Sequence, residues 1–104
     1  MKFPNAKYID EECSIVIGMY GNGRKAIKIV SDVDGQPMMT ATSNLPEFDI
    51  DLEDDDVIIK TYSENEGILQ DLIDNGIISK PHMELMNGFA LFPVAKLTEE
   101  YRNA

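Results

Sequence analysis

From Cys13 to Tyr20 the chain reads Cys-Ser-Ile-Val-Ile-Gly-Met-Tyr, a β-branched run that predicts a strand. Gly21-Asn22-Gly23-Arg24 follows, with residues that tolerate positive φ and suit a tight reversal. Lys25 to Val30 then alternates, Ile27 and Ile29 on one face and Lys28 on the other, as a half-buried second strand does. Asp34-Gly35 with Pro37 marks the next turn, and Met38 to Ser43 reads as a third strand, completing an antiparallel meander. Pro46 breaks the pattern. Val57, Ile58, Ile59 and Thr61 make Asp56 to Tyr62 a fourth strand.

At Ser63 the period changes from two to 3.6. Ser63 with Glu66 three residues on fits a capping box, and Glu64 and Glu66 suit the positive end of a helix. Ile68, Leu69, Leu72 and Ile73 form one apolar stripe at helical spacing. Asn75-Gly76 closes the helix, with Gly76 as the left-handed residue past its end. Ser79 to Asn87, which contains Pro81, reads as a loop. Gly88 to Leu97 reads as the last strand, and Pro93 inside it predicts an edge position or a bulge.

The order strand, strand, strand, strand, helix, strand predicts an α+β fold. A single antiparallel sheet, the meander plus the C-terminal strand, is expected to pack against one main helix at about residues 64–75. The expected core is Ile15, Ile17, Ile27, Ile29, Ile58, Leu69, Leu72, Ile73, Phe89 and Leu91. The 104 residues make one domain, with 1–12 and 98–104 as loosely held arms.

Composition narrows the function. Nineteen acids against nine bases give a formal net charge of −10. That balance argues against direct binding of nucleic acid, which needs Lys and Arg at the phosphates, and against an anionic membrane surface. No apolar run approaches the ~20 residues that span a bilayer. Asp10, Glu11 and Glu12 stand where a signal peptide would be basic. Cys13 is the single cysteine, so no internal disulfide forms and a reduced, cytoplasmic setting is expected.

The charge is concentrated in Glu47 to Asp56, where seven of ten residues are acids and none is basic. Phe48, Ile50 and Leu52 alternate with Glu47, Asp49, Asp51 and Glu53, and Asp54, Asp55 and Asp56 form a knot of like charge. One reading is a solvated edge. The other is a docking face, Glu47, Asp49, Asp51, Glu53, Asp54, Asp55 and Asp56, for a basic protein surface. Calcium is not expected, because an EF-hand loop needs Gly sixth and Glu twelfth. Counting from Asp49 those places hold Asp54 and Lys60. Mimicry of DNA by one strand fails on spacing: same-face acids lie ~6.8 Å apart against one charge per ~1.7 Å of duplex.

Other candidates are weaker. Gly21-Asn22-Gly23-Arg24 lacks the spacing of a phosphate loop and precedes a strand rather than a helix. His82 has no nucleophile at a telling spacing, and Cys13 lies in an apolar strand. Met83 and Met86 are core filler or an adaptable partner surface. No metal site, cofactor or catalytic constellation is predicted, and the chain is read as no enzyme.

Several segments carry a family resemblance. Tyr20-Gly21-Asn22-Gly23-Arg24, Ala26-Ile27, Asp34-Gly35-x-Pro37 and Asn44-Leu45-Pro46-Glu47 make one half. Ile59-Lys60-x-Tyr62-Ser63-Glu64-Asn65-Glu66-Gly67, Gly88-Phe89 and Pro93-Val94 make the other. Together, over about residues 15–97, they resemble a family of small proteins of unknown function carried by bacteriophages and integrated mobile elements. The stretch Glu47 to Asp56 is more acidic than the family pattern. The resemblance brings no catalytic residues. It implies an acidic accessory protein that binds and modulates a host nucleic-acid-handling or defence protein, such as a CRISPR effector or restriction enzyme, in the host cytoplasm. The alternatives are a nucleotide-type small-ligand binder and a structural or oligomerisation module, and a homodimer is left open.

Overall fold

The computed structural model describes residues 1–45, 51–62 and 65–102. Among these residues six strands and two short helices follow in order: β1 (Cys13–Met19), β2 (Lys25–Ser31), β3 (Pro37–Thr40), β4 (Asp56–Ile58), α1 (Ile68–Asp74), β5 (Met83–Asn87), β6 (Ala90–Lys96) and α2 (Glu99–Arg102). They form two three-stranded antiparallel sheets, ordered β1-β2-β3 and β4-β6-β5. This corrects the expected single sheet on one main helix. The fold is mostly β, and α1 covers seven residues instead of the predicted 64–75.

The meander is where the alternation placed it. β1 pairs with β2 from Cys13–Ser31 to Met19–Lys25 around the Gly21–Gly23 reversal. A register shift between Ile29 and Val30 shortens the pairing with β3. The meander ends because Thr42 Oγ1 accepts the Ile27 N–H at 3.2 Å. With a side chain in the ladder's place, the backbone leaves β2 and bridges Ile59 instead. The Lys60 N–H donates to the Ala41 carbonyl and the Ser43 N–H to that of Ile58, at 2.9 and 3.0 Å. These bonds tie the two sheets together.

The second sheet has apolar packing on both faces. Val57, Ile59 and Ala95 join the larger core cluster with Ile27, Ile29 and Leu72, while Ile58, Phe92 and Val94 join a smaller one with Leu45 and Leu85. Of the expected core, Ile27, Ile29, Ile58 and Leu72 are buried, and Ile15, Ile17, Leu69 and Ile73 pack half-buried against the larger cluster. Phe89 and Leu91 are corrections: both are exposed, and Phe92 is the buried aromatic of that strand. Residues 83–87, expected in a loop, are strand β5. Pro93, expected on an edge or bulge, lies in β6, the central strand. Its missing N–H falls where β4 ends, and its carbonyl still accepts from Ile59 at 2.8 Å.

The capping box does not start α1. Ser63 and Glu64 lie outside the described residues, and the helix begins only at Ile68, after Gly67 at φ +88°. A Cβ on Gly67 would sit 1.8 Å from the Asn5 carbonyl oxygen, so glycine is required both by conformation and by close approach. The other end is as expected: Gly76 has φ +71°, and its N–H donates to Ile73. Asn5 belongs to the segment expected as a loose arm. Phe3, Ala6 and Ile9 of that segment are buried in the larger cluster. No described helix is long and apolar enough to cross a membrane.

Candidate functional site

The acidic run does not present one uniform face. Glu47 and Asp49 lie outside the described residues. Asp51, Glu53 and Asp54 are exposed, Asp55 is half-buried and Asp56 is buried at 5% exposure. The chain turns over Glu53–Asp56: the Asp56 N–H donates to the Glu53 carbonyl at 3.0 Å, and the Glu53 N–H to Asp56 Oδ2 at 2.9 Å. The turn points Asp56 inward and Asp54 outward.

Asp56 stands opposite Lys96 in the β4–β6 register. Its Oδ1 meets His82 Nε2 at 2.8 Å and Lys96 Nζ at 3.3 Å. Lys96 Nζ also donates to Glu53 Oε2 at 2.9 Å and Asp55 Oδ1 at 3.2 Å. Arg102 approaches Asp55 Oδ2 at 3.6 Å. Burial pushes the Asp56 carboxyl upward, but His82, the Glu53 N–H and Lys96 together outweigh it and hold it below its ordinary value. The same carboxylates, Glu53 foremost, raise the Lys96 ammonium above its ordinary value. Asp55 and Asp56 therefore fasten β4, β6, α2 and the approach to β5 to one another. Asp51, Glu53 and Asp54 remain the outward acids. An open hollow beside them is lined by Lys25, Glu53, Asp54, Asp55 and Arg102.

Pattern reading missed the apolar end of the same sheet. Phe89, in the β5–β6 turn after Gly88 at φ +65°, is fully exposed. Met86 and Leu91, directly paired across the hairpin, are 65% and 46% exposed. Met86 thus faces solvent, as its adaptable-surface reading requires. The hairpin runs past the larger core, so the face that is covered at Val57 and Ala95 lies open at Met86 and Leu91.

Cys13 and His82, the nucleophile and base weighed in the sequence, have different partners. The Cys13 thiol contacts the Glu11 carbonyl and Met38 Sδ, each at 3.4 Å, whereas His82 is held by Asp56. Burial and then Glu11 push the thiol's pKa up, away from a nucleophilic thiolate. Among the described residues no group of three or more His, Cys, Asp or Glu side chains is arranged to hold a metal ion.

A scan against protein-family models, a search of curated proteins and a search of solved structures each find no match.

Proposed function

We propose that this chain is a non-catalytic protein-binding module that docks on a basic partner through the β4-β6-β5 sheet. The observation that carries the reading is the exposed trio Met86, Phe89 and Leu91. Large apolar side chains grouped on a projecting hairpin are what buried interface anchors look like before the partner arrives. Of the outward acids, Glu53 reaches Lys96 at the other end of β6 from Leu91, and Asp54 lines the hollow beside it. In this reading the acids steer a cationic surface and the hairpin supplies the contact energy. The basic groove of a nucleic-acid-handling protein is such a surface, and occupying it would inhibit that protein, in line with the resemblance to phage accessory proteins. A nucleotide fits the hollow by Lys25 less well, because three carboxylates line it.

Affinity capture from host extract, identification of the bound protein and titration of the purified pair at two salt concentrations test this. Phe89→Ala should weaken binding about 30-fold, the factor that a ~2 kcal/mol anchor represents. The pair Asp51→Asn and Asp54→Asn should flatten the salt dependence and leave the fold intact. A captured partner indifferent to all three changes would overturn the reading.

A further inference from the structure

β5 is an edge of its sheet, with β6 on one side and no strand beyond it among the described residues. Pro93 settles which of its backbone groups face outward. In an antiparallel ladder, opposed residues alternate between pairs that exchange both bonds and pairs that turn their N–H and C=O away from each other. Pro93 lies opposite Glu84. It has no N–H, and its carbonyl accepts from Ile59, the residue after β4, at 2.8 Å. Pro93 is therefore turned away from β5, and Glu84 is turned away from β6. Met86, two residues on, shares that parity. The N–H and C=O of Glu84 and Met86 thus point out along the edge, and no described group bonds them. His82, whose N–H goes to Val94 at 3.0 Å, bounds this row on one side, and the turn at Gly88 bounds it on the other.

The side chains beside the row are open as well. Glu84 and Met86 are exposed, on the face they share with Leu91. Glu84 is the only charge in Met83–Asn87, and it decides the occupant. A second copy adding β5 to β5 antiparallel about Leu85 would set the two Glu84 carboxylates on one face as diagonal neighbours. Each of those chains carries a formal charge of −10. A charge placed this way is a device that keeps an edge from pairing with its own kind. A strand with a cation opposite Glu84 meets no such repulsion and is drawn in by the same charge.

We propose that the basic partner adds an extended segment to β5 as an antiparallel strand. This rests on the docking function proposed for the sheet and names what enters it. One partner residue exchanges both backbone bonds with Met86, and the residue two positions later does so with Glu84. Their side chains fall on the open face. The first, beside Met86 and Leu91, is apolar, and the second, beside Glu84, is Lys or Arg. The recognised segment reads apolar, any residue, cation. Backbone bonds supply affinity, and the alternate side chains supply selection.

A capped peptide whose middle reads Thr-Val-Thr-Lys-Thr, titrated into the isotope-labelled full chain and followed by NMR, tests the proposal. It should shift the amides of Glu84 and Met86 and slow their hydrogen exchange. N-methylation of its valine and lysine removes the N–H groups that face the edge, and should weaken binding at least about tenfold. N-methylation of the threonines, which face away, should change it less than about threefold. Glutamate in place of the lysine should weaken binding at least about threefold, and Glu84→Lys should reverse that preference. No saturable binding up to about 1 mM overturns the proposal, as does binding indifferent to where the peptide is methylated. Shifts of the same two amides on concentrating the chain alone give the edge to a second copy and overturn it too. The proposal and the docking function fail separately. A captured partner weakened by Phe89→Ala yet indifferent to Glu84→Lys keeps the docking face and overturns strand addition. A partner indifferent to Phe89→Ala, with the peptide bound at Glu84 and Met86, does the reverse.

Discussion

At the scale of single residues, two acids do unlike work from most of the 19 in the chain. Asp71, fully buried, takes the N–H groups of Asn5 and Ala6 and the Asn5 side-chain amide at 2.7–3.1 Å. Asp71→Ala leaves these donors without a partner, and should cost at least ~2 kcal/mol in urea unfolding with lost hydrogen-exchange protection at Ala6. A signal for Asp71 was present in the sequence: with Ile68 and Leu72 it sits on the apolar stripe, where a solvated acid does not belong. Asp56 acts through pH. Its folded pKa is depressed, so its stabilisation is complete above the unfolded value of about 3.9 and is lost as pH falls through the lower folded value. The urea midpoint of the native chain should therefore fall more steeply below about pH 4 than that of Asp56→Asn. Nothing in the run Glu47 to Asp56 distinguishes Asp56 from Asp54. That difference comes from the turn at Glu53 and from Lys96, 40 positions downstream.

At the scale of elements, the hairpin β1–β2 and the C-terminal end of α1 were legible because local chemistry decides them: Gly-rich reversal, alternation, and a left-handed glycine. The start of α1 was not, because the carbonyl of Asn5, 62 positions before Gly67, occupies the space a side chain would need. Gly67→Ala should destabilise by ~2 kcal/mol or more, whereas Gly21→Ala, with open space around it, should stay within about 0.5 kcal/mol. Leu72→Ala, in a filled core, should cost ~2–5 kcal/mol, read from the same denaturation curves. β5 hid for a different reason. Met-Glu-Leu-Met-Asn buries Leu85 alone, and its strand character comes from pairing with β6. In β6 itself Phe92, Pro93, Val94 and Ala95 are all buried. A strand covered on both faces shows no alternation, so sequence parity could not tell Leu91 from Phe92.

At the scale of the whole molecule, the β4-β6-β5 sheet gathers acids around Lys96 at one end and exposes Met86, Phe89 and Leu91 at the other. The described acids of the expected docking face separate into Asp55 and Asp56, which hold elements together, and Asp51, Glu53 and Asp54, which are exposed. The apolar hairpin that complements the outer set was invisible, because Phe89 reads as core in any pattern that counts hydrophobic residues. Salt should discriminate between the two sets. Raising it should weaken partner association through Asp51 and Asp54, while the buried Asp56 contacts are screened much less.

The clasp between Asp71 and the first residues has a consequence for how the protein is made. Its two sides are 66 positions apart. At ~5–20 residues per second of synthesis, roughly 3–13 s pass between the appearance of Asn5 and that of Asp71. Throughout that interval Phe3 and Ile9 have no helix to cover them, whereas the hairpin β1–β2, whose contacts are local, has all its residues once Ser31 is made, well before Asp71. The growing chain thus carries an uncharged strand and apolar side chains that wait for their cover. Their safety depends on how soon α1 and its Asp71 are translated.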